Sequence, residues 1–254
     1  MLTDTHTHLT MPEYQDINDV LDRARNAGLE FIVDVGFDIA SSGSSTRLSE
    51  ENDFIYTAVG VHPHDAKSFN EECYRKLKDM FTRKKVVAIG EIGLDYHYEL
   101  STREEQKRMF SKLLWTAREM KMPVIFHGRE SFKDMVDIIK DEGQGKVQGV
   151  FHSFGGSIEE LKWVLDNGFY VSISGMITFK KANNIADIAM TAPIDKILIE
   201  TDCPYLTPEP YRGKRNEPSY VKYVAEALAK VKGMTVEDVG RVTTQNAKTL
   251  FRIK

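Results

Sequence analysis

Cysteine is scarce in this chain. Only Cys73 and Cys203 occur in 254 residues. Two thiols are too few for a disulfide framework, and they fit a reducing compartment. Long apolar runs are also missing. No stretch approaches the roughly 20 apolar residues that span a bilayer. No charged leader is expected, because the first β-rich run already begins at Leu2. These absences lead us to expect a cytoplasmic protein. Excess charge of one sign is lacking as well. The 34 basic residues face 38 acidic ones, for a net charge of −4. That balance excludes a protein that coats nucleic acid by general positive charge, though not one with a local basic site.

What remains is the composition of a soluble globular protein, 41% hydrophobic and 28% charged. No Pro/Ser-rich linker, low-complexity tract or fixed-period repeat interrupts it. The length fits one barrel-sized domain or two ordinary ones, and one domain over 1–254 is the simpler expectation. Eight short β-rich runs alternate with helical stretches: 2–6, 30–36, 55–61, 86–91, 123–127, 148–152, 169–174 and 196–200. Runs such as "EFIVDVG" and "VVAIG" are apolar nearly throughout, as expected of parallel strands covered on both faces. Between them lie amphipathic stretches with terminal signals. "YQDINDVLDRARNAG" ends in Gly28, and "SIEELKWVLDNG" runs from Ser157 to Gly168. "STREEQKRMFSKLLWTAREMKMP" opens with a capping-box spacing from Ser101 to Glu104 and stops before Pro123. After the eighth run the chain reads as three helical pieces, "NEPSYVKYVAEALAKVKG", "TVEDVGRV" and "TTQNAKTLFRI". Eight β–α alternations predict an α/β protein of the (β/α)8 barrel type, with a doubly wound open sheet as the runner-up.

The residues able to do chemistry are distributed unevenly. Six of the seven histidines fall at or just past the end of a β-rich run: His6, His8, His62, His64, His127 and His152. The seventh, His97, lies in the loop after the fourth run. Glu91 ends the fourth run, and Asp202 follows the eighth. Each position alone has an ordinary explanation, a hydrogen-bonded strand end or a helix cap. "HTH" by itself fits a metal-ligand pair and a polar strand end equally. The joint pattern favours metal, since surface histidines would scatter over helices and the predicted helices contain none. In a barrel these positions gather around one mouth. Imidazoles and carboxylates suit Zn²⁺, Mn²⁺ or similar ions. His6, His8 and Asp202 would hold one ion, His127 and His152 a second, and Glu91 would bridge them. Paired ions activate water and clamp a displacement at both oxygens, with Asp202 also suited as general base. Asp4, behind the pair on the same strand face, is expected to orient a histidine.

With these residues in view, the chain resembles the TatD-family metal-dependent hydrolases, within the amidohydrolase-like barrels. The resemblance runs through "DTHTHL", "GVHPHDA", "GEIGLDYHYE", "FHGRE", "FHSFGGS", "ETDCPYLTP" and "RGKRNEP", in that order along nearly the whole chain. It implies a (β/α)8 barrel and a DNase-type phosphodiesterase that depends on two divalent ions, Zn, Mn or Mg. It implies His6, His8, Glu91, His127, His152 and Asp202 as ligands, with Glu91 bridging and Asp202 also the base. Glu130, Ser153 and Cys203 depart from the commoner family pattern, which has aspartate, cysteine and serine there. None of the three is an expected ligand, and Cys203 reads as a small buried residue beside Asp202.

An anionic substrate needs local positive charge. Candidates are Arg129, Lys180 and Lys181, and Arg212, Lys214 and Arg215 in the loop after the eighth run. His62 and His64 are expected to contact a phosphate oxygen, and Tyr96, His97, Tyr205 and Tyr211 to stack on bases. A solvated charged surface explains "FKK" and "RGKR" equally well. The leading expectation is a DNase acting on single-stranded DNA or frayed ends, with no membrane and no obligate protein partner. A hydrolase of a small amide or ester on the same metals is the alternative. A non-catalytic metal-binding module is disfavoured by the full ligand set with a base beside it.

Overall fold

The computed structural model describes residues 1–254. In chain order its elements are β1 (Leu2–Thr7), α1 (Ile17–Asn26), β2 (Leu29–Val35), α2 (Ile39–Glu51), β3 (Ile55–Val59), α3 (Glu71–Phe81), β4 (Val86–Asp95), α4 (Arg103–Met120), β5 (Val124–Arg129), α5 (Phe132–Ile138), β6 (Gly149–Phe151), α6 (Ile158–Asp166), β7 (Tyr170–Ile173), α7 (Asn183–Thr191), β8 (Ile197–Ile199), α8 (Val221–Lys232) and α9 (Val236–Phe251). This is the expected (β/α)8 barrel fold, with eight parallel strands in sequential order. By internal contacts the chain divides into two compact units, Met1–Asp34 with Ser153–Lys254, and Val35–His152.

In the first unit β1 pairs in parallel with β2, and β7 with β8. The first and last strands also meet. The amide of Asp202 donates to the carbonyl of His6, and the amide of His8 to that of Cys203, each at 2.9 Å. Residues nearly 200 positions apart are thereby fixed beside each other by backbone hydrogen bonds. Helix α9 supports β1 from behind, where the Thr3 and Thr244 hydroxyls are 3.0 Å apart. Buried Asn246 donates to the carbonyls of Ile194 and Ile197, tying α9 to the start of β8. The two last helical pieces expected from the sequence are one helix, α9, because nothing in "GRVTTQ" breaks it.

In the second unit β3, β4, β5 and β6 pair in parallel, in that order. Phe110 of α4 meets Phe126 of β5 edge-on, and Phe126 stacks on Phe151 of β6. Strands β4 and β6 are buried almost throughout and β5 over its first half, Val124–Phe126, which is why their sequences lack alternation. Strand β4 runs four residues beyond its expected end, as far as Asp95. Gly93 allows this. Its φ is +151°, and a Cβ there would sit 1.9 Å from the carbonyl oxygen of His127. Helix α4 is capped one residue later than the sequence suggested, by the reciprocal pair Thr102 and Glu105. No helix is long and apolar enough to cross a membrane.

Candidate metal centre

The second unit gathers three histidines at one carboxylate oxygen. Around Glu91 Oε1 lie His127 Nδ1 at 2.7 Å, His152 Nε2 at 3.1 Å and His62 Nε2 at 3.4 Å. Glu91 lies within β4 and His127 within β5, His152 is the residue after β6, and His62 sits in the turn after β3. Nitrogens approach nitrogens as well, since His127 Nδ1 is 3.2 Å from His152 Nε2 and 3.3 Å from His62 Nε2.

The hydrogen-bond partners assign the protons. His127 Nε2 faces Asp95 Oδ2 at 3.0 Å, so a neutral His127 keeps its proton there and turns the Nδ1 lone pair on Glu91. A lone pair facing a carboxylate oxygen calls for a cation between them or for a second proton. The charges agree. Burial would push the His127 pKa down, yet the hydrogen bonds to Asp95 and Glu91 raise it overall. Burial would likewise push the Glu91 carboxyl up, but the histidines hold it well below the usual carboxylate range. A site that attracts an extra proton this way suits a divalent ion in the proton's place. The set of Glu91, His127 and His152 therefore fits the metal expected there.

His62 differs. Its Nδ1 accepts the amide hydrogen of His64 at 3.1 Å, so the single proton of a neutral ring sits on Nε2. Burial, then repulsion from His127, lowers its pKa to about 4, so the ring is neutral near pH 7. His62 thus turns an N–H donor towards the carboxylate rather than a lone pair. That suits the expected contact to a phosphate oxygen better than metal ligation.

Asp95 is the residue that sequence reasoning missed here. Its Oδ1 accepts the amides of His97 and Tyr98, both at 3.0 Å, and its backbone is held by buried Gln106. Its Oδ2 is left to His127 and to His64, whose Nε2 is 3.2 Å away. A carboxylate fixed on all sides orients the imidazole and sets its tautomer. The available signal was "GLDYH", an acidic residue four beyond Glu91.

The first unit holds a smaller set. His6 and His8 rings meet edge-on, with centroids 5.0 Å apart. Asp202 Oδ1 lies 3.5 Å from His8 Nε2 and 3.9 Å from His6 Nε2. The backbone at Asp202 is left-handed, with φ +57°, a conformation uncommon outside glycine. Asp4 does not orient a histidine ring, contrary to expectation. Its carboxylate accepts the Thr201 amide at 2.9 Å and the Thr201 hydroxyl at 2.6 Å, which fixes the turn that presents Asp202. Buried Asp34 accepts the Leu9 amide at 2.6 Å and the Thr7 hydroxyl, fixing the chain on either side of His8. Glu200 accepts the amide of Ser153 and the hydroxyl of Ser172. Asp34 and Glu200 also escaped sequence reasoning, although a carboxylate inside an apolar run was visible in "IVDVG" and "LIETD". Cys203 is buried, and burial raises its thiol pKa well above the ordinary value, so it is no ready nucleophile.

The expected substrate contacts are spread more widely. Arg129 lies over the Tyr98 ring, and Arg212 over Phe179 at 3.8 Å. Arg215 pairs with Asp16 at 2.6 and 2.9 Å and covers Tyr14. Lys214 sits beside Tyr211, and Lys180 and Lys181 are exposed. His97 bonds to Glu130 at 2.7 Å, and the Tyr96 hydroxyl donates to Asp134. The Tyr205 ring is half exposed, 6.3 Å from that of His8.

Residues 3–252 match the family model of TatD related DNases. The chain belongs to that family. An uncharacterized metal-dependent hydrolase, YabD of Bacillus subtilis, is 47% identical over the full length of both chains. A protein of Escherichia fergusonii described as the 3'-5' ssDNA/RNA exonuclease TatD is 31% identical, with 98% of each chain covered. The crystal structure of YjjV, a TatD homologue from Escherichia coli K12, superimposes with a TM-score of 0.94 at 26% identity and covers all of this chain and 98% of its own. This TatD-family protein is accordingly a metal-dependent hydrolase.

Proposed function

We propose that this TatD-family hydrolase is a divalent-metal-dependent deoxyribonuclease that cleaves phosphodiester bonds, from an end of single-stranded or frayed DNA. The observation that carries the reading is the convergence of His127 Nδ1 and His152 Nε2 on Glu91 Oε1, with the His127 lone pair directed there by Asp95. We assign His127 and His152 to one ion, His6, His8 and Asp202 to another, and Glu91 to both, and we take residues 1–254 as a single hydrolase domain working in the cytoplasm. Two such ions would neutralise the diester and lower the pKa of an attacking water to about 7. Asp202 would take that water's proton, since its side chain is the most exposed of its set, at 13% against 7% for His8 and 0% for His6. His62 donates its Nε2–H to a non-bridging phosphate oxygen, and His64 shares Asp95 with His127. Arg129, Arg212 and Lys214 supply positive charge along the strand, while Arg215, also expected there from the sequence, is held by Asp16. The name of the Escherichia fergusonii relative supports a nucleic-acid substrate.

The test is cleavage of end-labelled single- and double-stranded DNA with added Mn²⁺, Mg²⁺ or Zn²⁺, with and without EDTA, beside Asp202→Asn. Metal-dependent shortening of the single strand, lost in the variant, is expected. No cleavage with any divalent ion would overturn the nuclease reading and move the substrate to a small amide or ester.

A further inference from the structure

A second binding feature lies in the unit formed by Met1–Asp34 and Ser153–Lys254. An open cleft of about 630 Å³ is lined by Tyr211, Tyr220 and Tyr223, by Arg23 of α1, and by Lys222 and Glu217. None of these residues belongs to the metal-ligand sets. Tyr211 and Tyr220 stack nearly parallel, with centroids 4.7 Å apart at 10°. Tyr223 leans against both, at 5.5 and 6.0 Å. The Tyr223 hydroxyl donates to that of Tyr211 at 3.4 Å, and all three side chains keep part of their surface exposed.

The charges at this cleft are sorted. Glu217 is buried and consumed by Arg23, whose guanidinium holds both carboxylate oxygens at 2.8–3.0 Å. Lys222, 4.9 Å from the Tyr223 ring, and Lys214, 5.4 Å from the Tyr211 ring, have no carboxylate partner in the structure. The tyrosine faces thus stand beside the ammonium group of Lys222, with Glu226 one turn further along α8 acting on Tyr223, and with Lys214 next to Tyr211 but outside the cleft lining. A planar ring joined to an anion complements that surface. Base stacking on tyrosine tolerates every base, and each stacked base is worth about five- to 150-fold in affinity. The volume falls in the range of ordinary small-ligand sites and is wide enough for a nucleotide.

We propose that the Tyr211–Tyr220–Tyr223 cleft is an accessory site for single-stranded nucleic acid, stacking a base on the tyrosines and pairing its phosphate with Lys222. The role it would serve, holding a strand at a distance from the hydrolytic centre, rests on the nuclease reading. Its existence as a binding site does not.

The experiment compares wild type with Tyr223→Leu, Tyr223→Phe and Lys222→Glu. Binding of a fluorescein-labelled oligothymidylate is followed by anisotropy in EDTA, where no hydrolysis occurs. Turnover of bis(p-nitrophenyl) phosphate with added Mn²⁺ is measured in parallel, and circular dichroism checks folding. Tyr223→Leu and Lys222→Glu should each weaken oligonucleotide binding by about tenfold, a single stacked base or a reversed phosphate contact. Tyr223→Phe should bind as wild type does, because the ring and not the hydroxyl stacks. Diester turnover should stay unchanged in all three. Wild-type affinity in folded Tyr223→Leu and Lys222→Glu would overturn the site while leaving the nuclease reading intact. Wild type that binds through these residues but cleaves no DNA would support the site and defeat the nuclease reading.

Discussion

His127 stands between two carboxylates, with Nδ1 2.7 Å from Glu91 Oε1 and Nε2 3.0 Å from Asp95 Oδ2. The Asp95 contact decides which nitrogen has the lone pair. Asp95→Asn keeps the shape but presents an amide that can equally donate to Nε2, which would move the ring proton to Nδ1. Metal affinity should fall about 10- to 100-fold, the usual effect of losing such a partner. Titration of the apoprotein with Mn²⁺ or Zn²⁺ by calorimetry would read this. Unchanged affinity in a folded Asp95→Asn would remove Asp95 from the site.

Metal should also be a structural asset. Without a cation, Glu91 and its histidines are a buried cluster that depends on an extra proton. An ion that binds only the native state stabilises it by about 2.7 kcal/mol at a hundredfold excess over its Kd. Chelation should therefore lower Tm, and adding Mn²⁺ or Zn²⁺ should restore it in wild type. Glu91→Gln should lose most of the metal-induced shift. A Tm indifferent to EDTA and to added metal would argue against a preformed centre.

Two glycines predict opposite signs for one substitution. At Gly93 a Cβ would strike the His127 carbonyl at 1.9 Å, and φ is +151°. Gly93→Ala should cost at least about 2 kcal/mol through strain and a displaced β5. At Gly43, inside α2, the nearest atom to an added Cβ is the Met80 methyl at 3.7 Å. Gly43→Ala should stabilise by about 0.5–1 kcal/mol, since alanine loses less entropy in a helix. Urea midpoints would show both, and a shared sign would contradict the packing described.

The fold was legible because several of the parallel strands write themselves as nearly unbroken apolar runs, and all eight β-rich runs were in the sequence, even though β1 is mostly polar. Their ends were less so. Strand β4 outran its apolar segment because its continuation depends on Gly93 lying against the backbone of β5, a long-range fact. The expected ligand positions were legible from histidines confined to strand ends. Of the carboxylates that position them only Asp4 was picked out, and with the wrong partner. Asp4, Asp34 and Asp95 each act on a backbone amide, a hydroxyl or a ring that only the fold brings near. Asp4 shows the limit best. Its placement behind His6 was right, and its partner, Thr201, lies 197 residues away.

The Tyr14 hydroxyl donates to the carbonyl of Asn216 at 2.7 Å, and burial raises its pKa far above 10. The folded state keeps this proton while the unfolded chain gives it up near pH 10. The unfolded state then binds fewer protons, so stability falls as pH rises. The loss begins near pH 10 and is about 1.4 kcal/mol per pH unit for this one group. Tyr14→Phe should be less stable by about 1 kcal/mol at neutral pH, from the lost hydrogen bond. It should also show a shallower decline between about pH 9.5 and 11 in urea melts, a window set by the ordinary tyrosine pKa of about 10 in the unfolded chain. Parallel declines in the two proteins would mean that Tyr14 ionises freely when folded.

The basic loop after β8 should separate into two functions. Arg215 is committed to Asp16, which it holds well below the usual carboxylate range, and to the ring of Tyr14. Lys214 has no such commitment. Arg215→Ala should therefore lower Tm and leave DNA binding nearly as it was. Lys214→Ala should leave Tm in place and weaken binding alike for all sequences, reducing the slope of log K against log salt by about one. The ion pair of Arg215 is partly exposed, so its loss should also matter less at high salt. Binding isotherms at several salt concentrations, taken in EDTA, distinguish the two. If Arg215→Ala flattens the salt slope and Lys214→Ala does not, the phosphate contact belongs to the residue that the structure ties to Asp16.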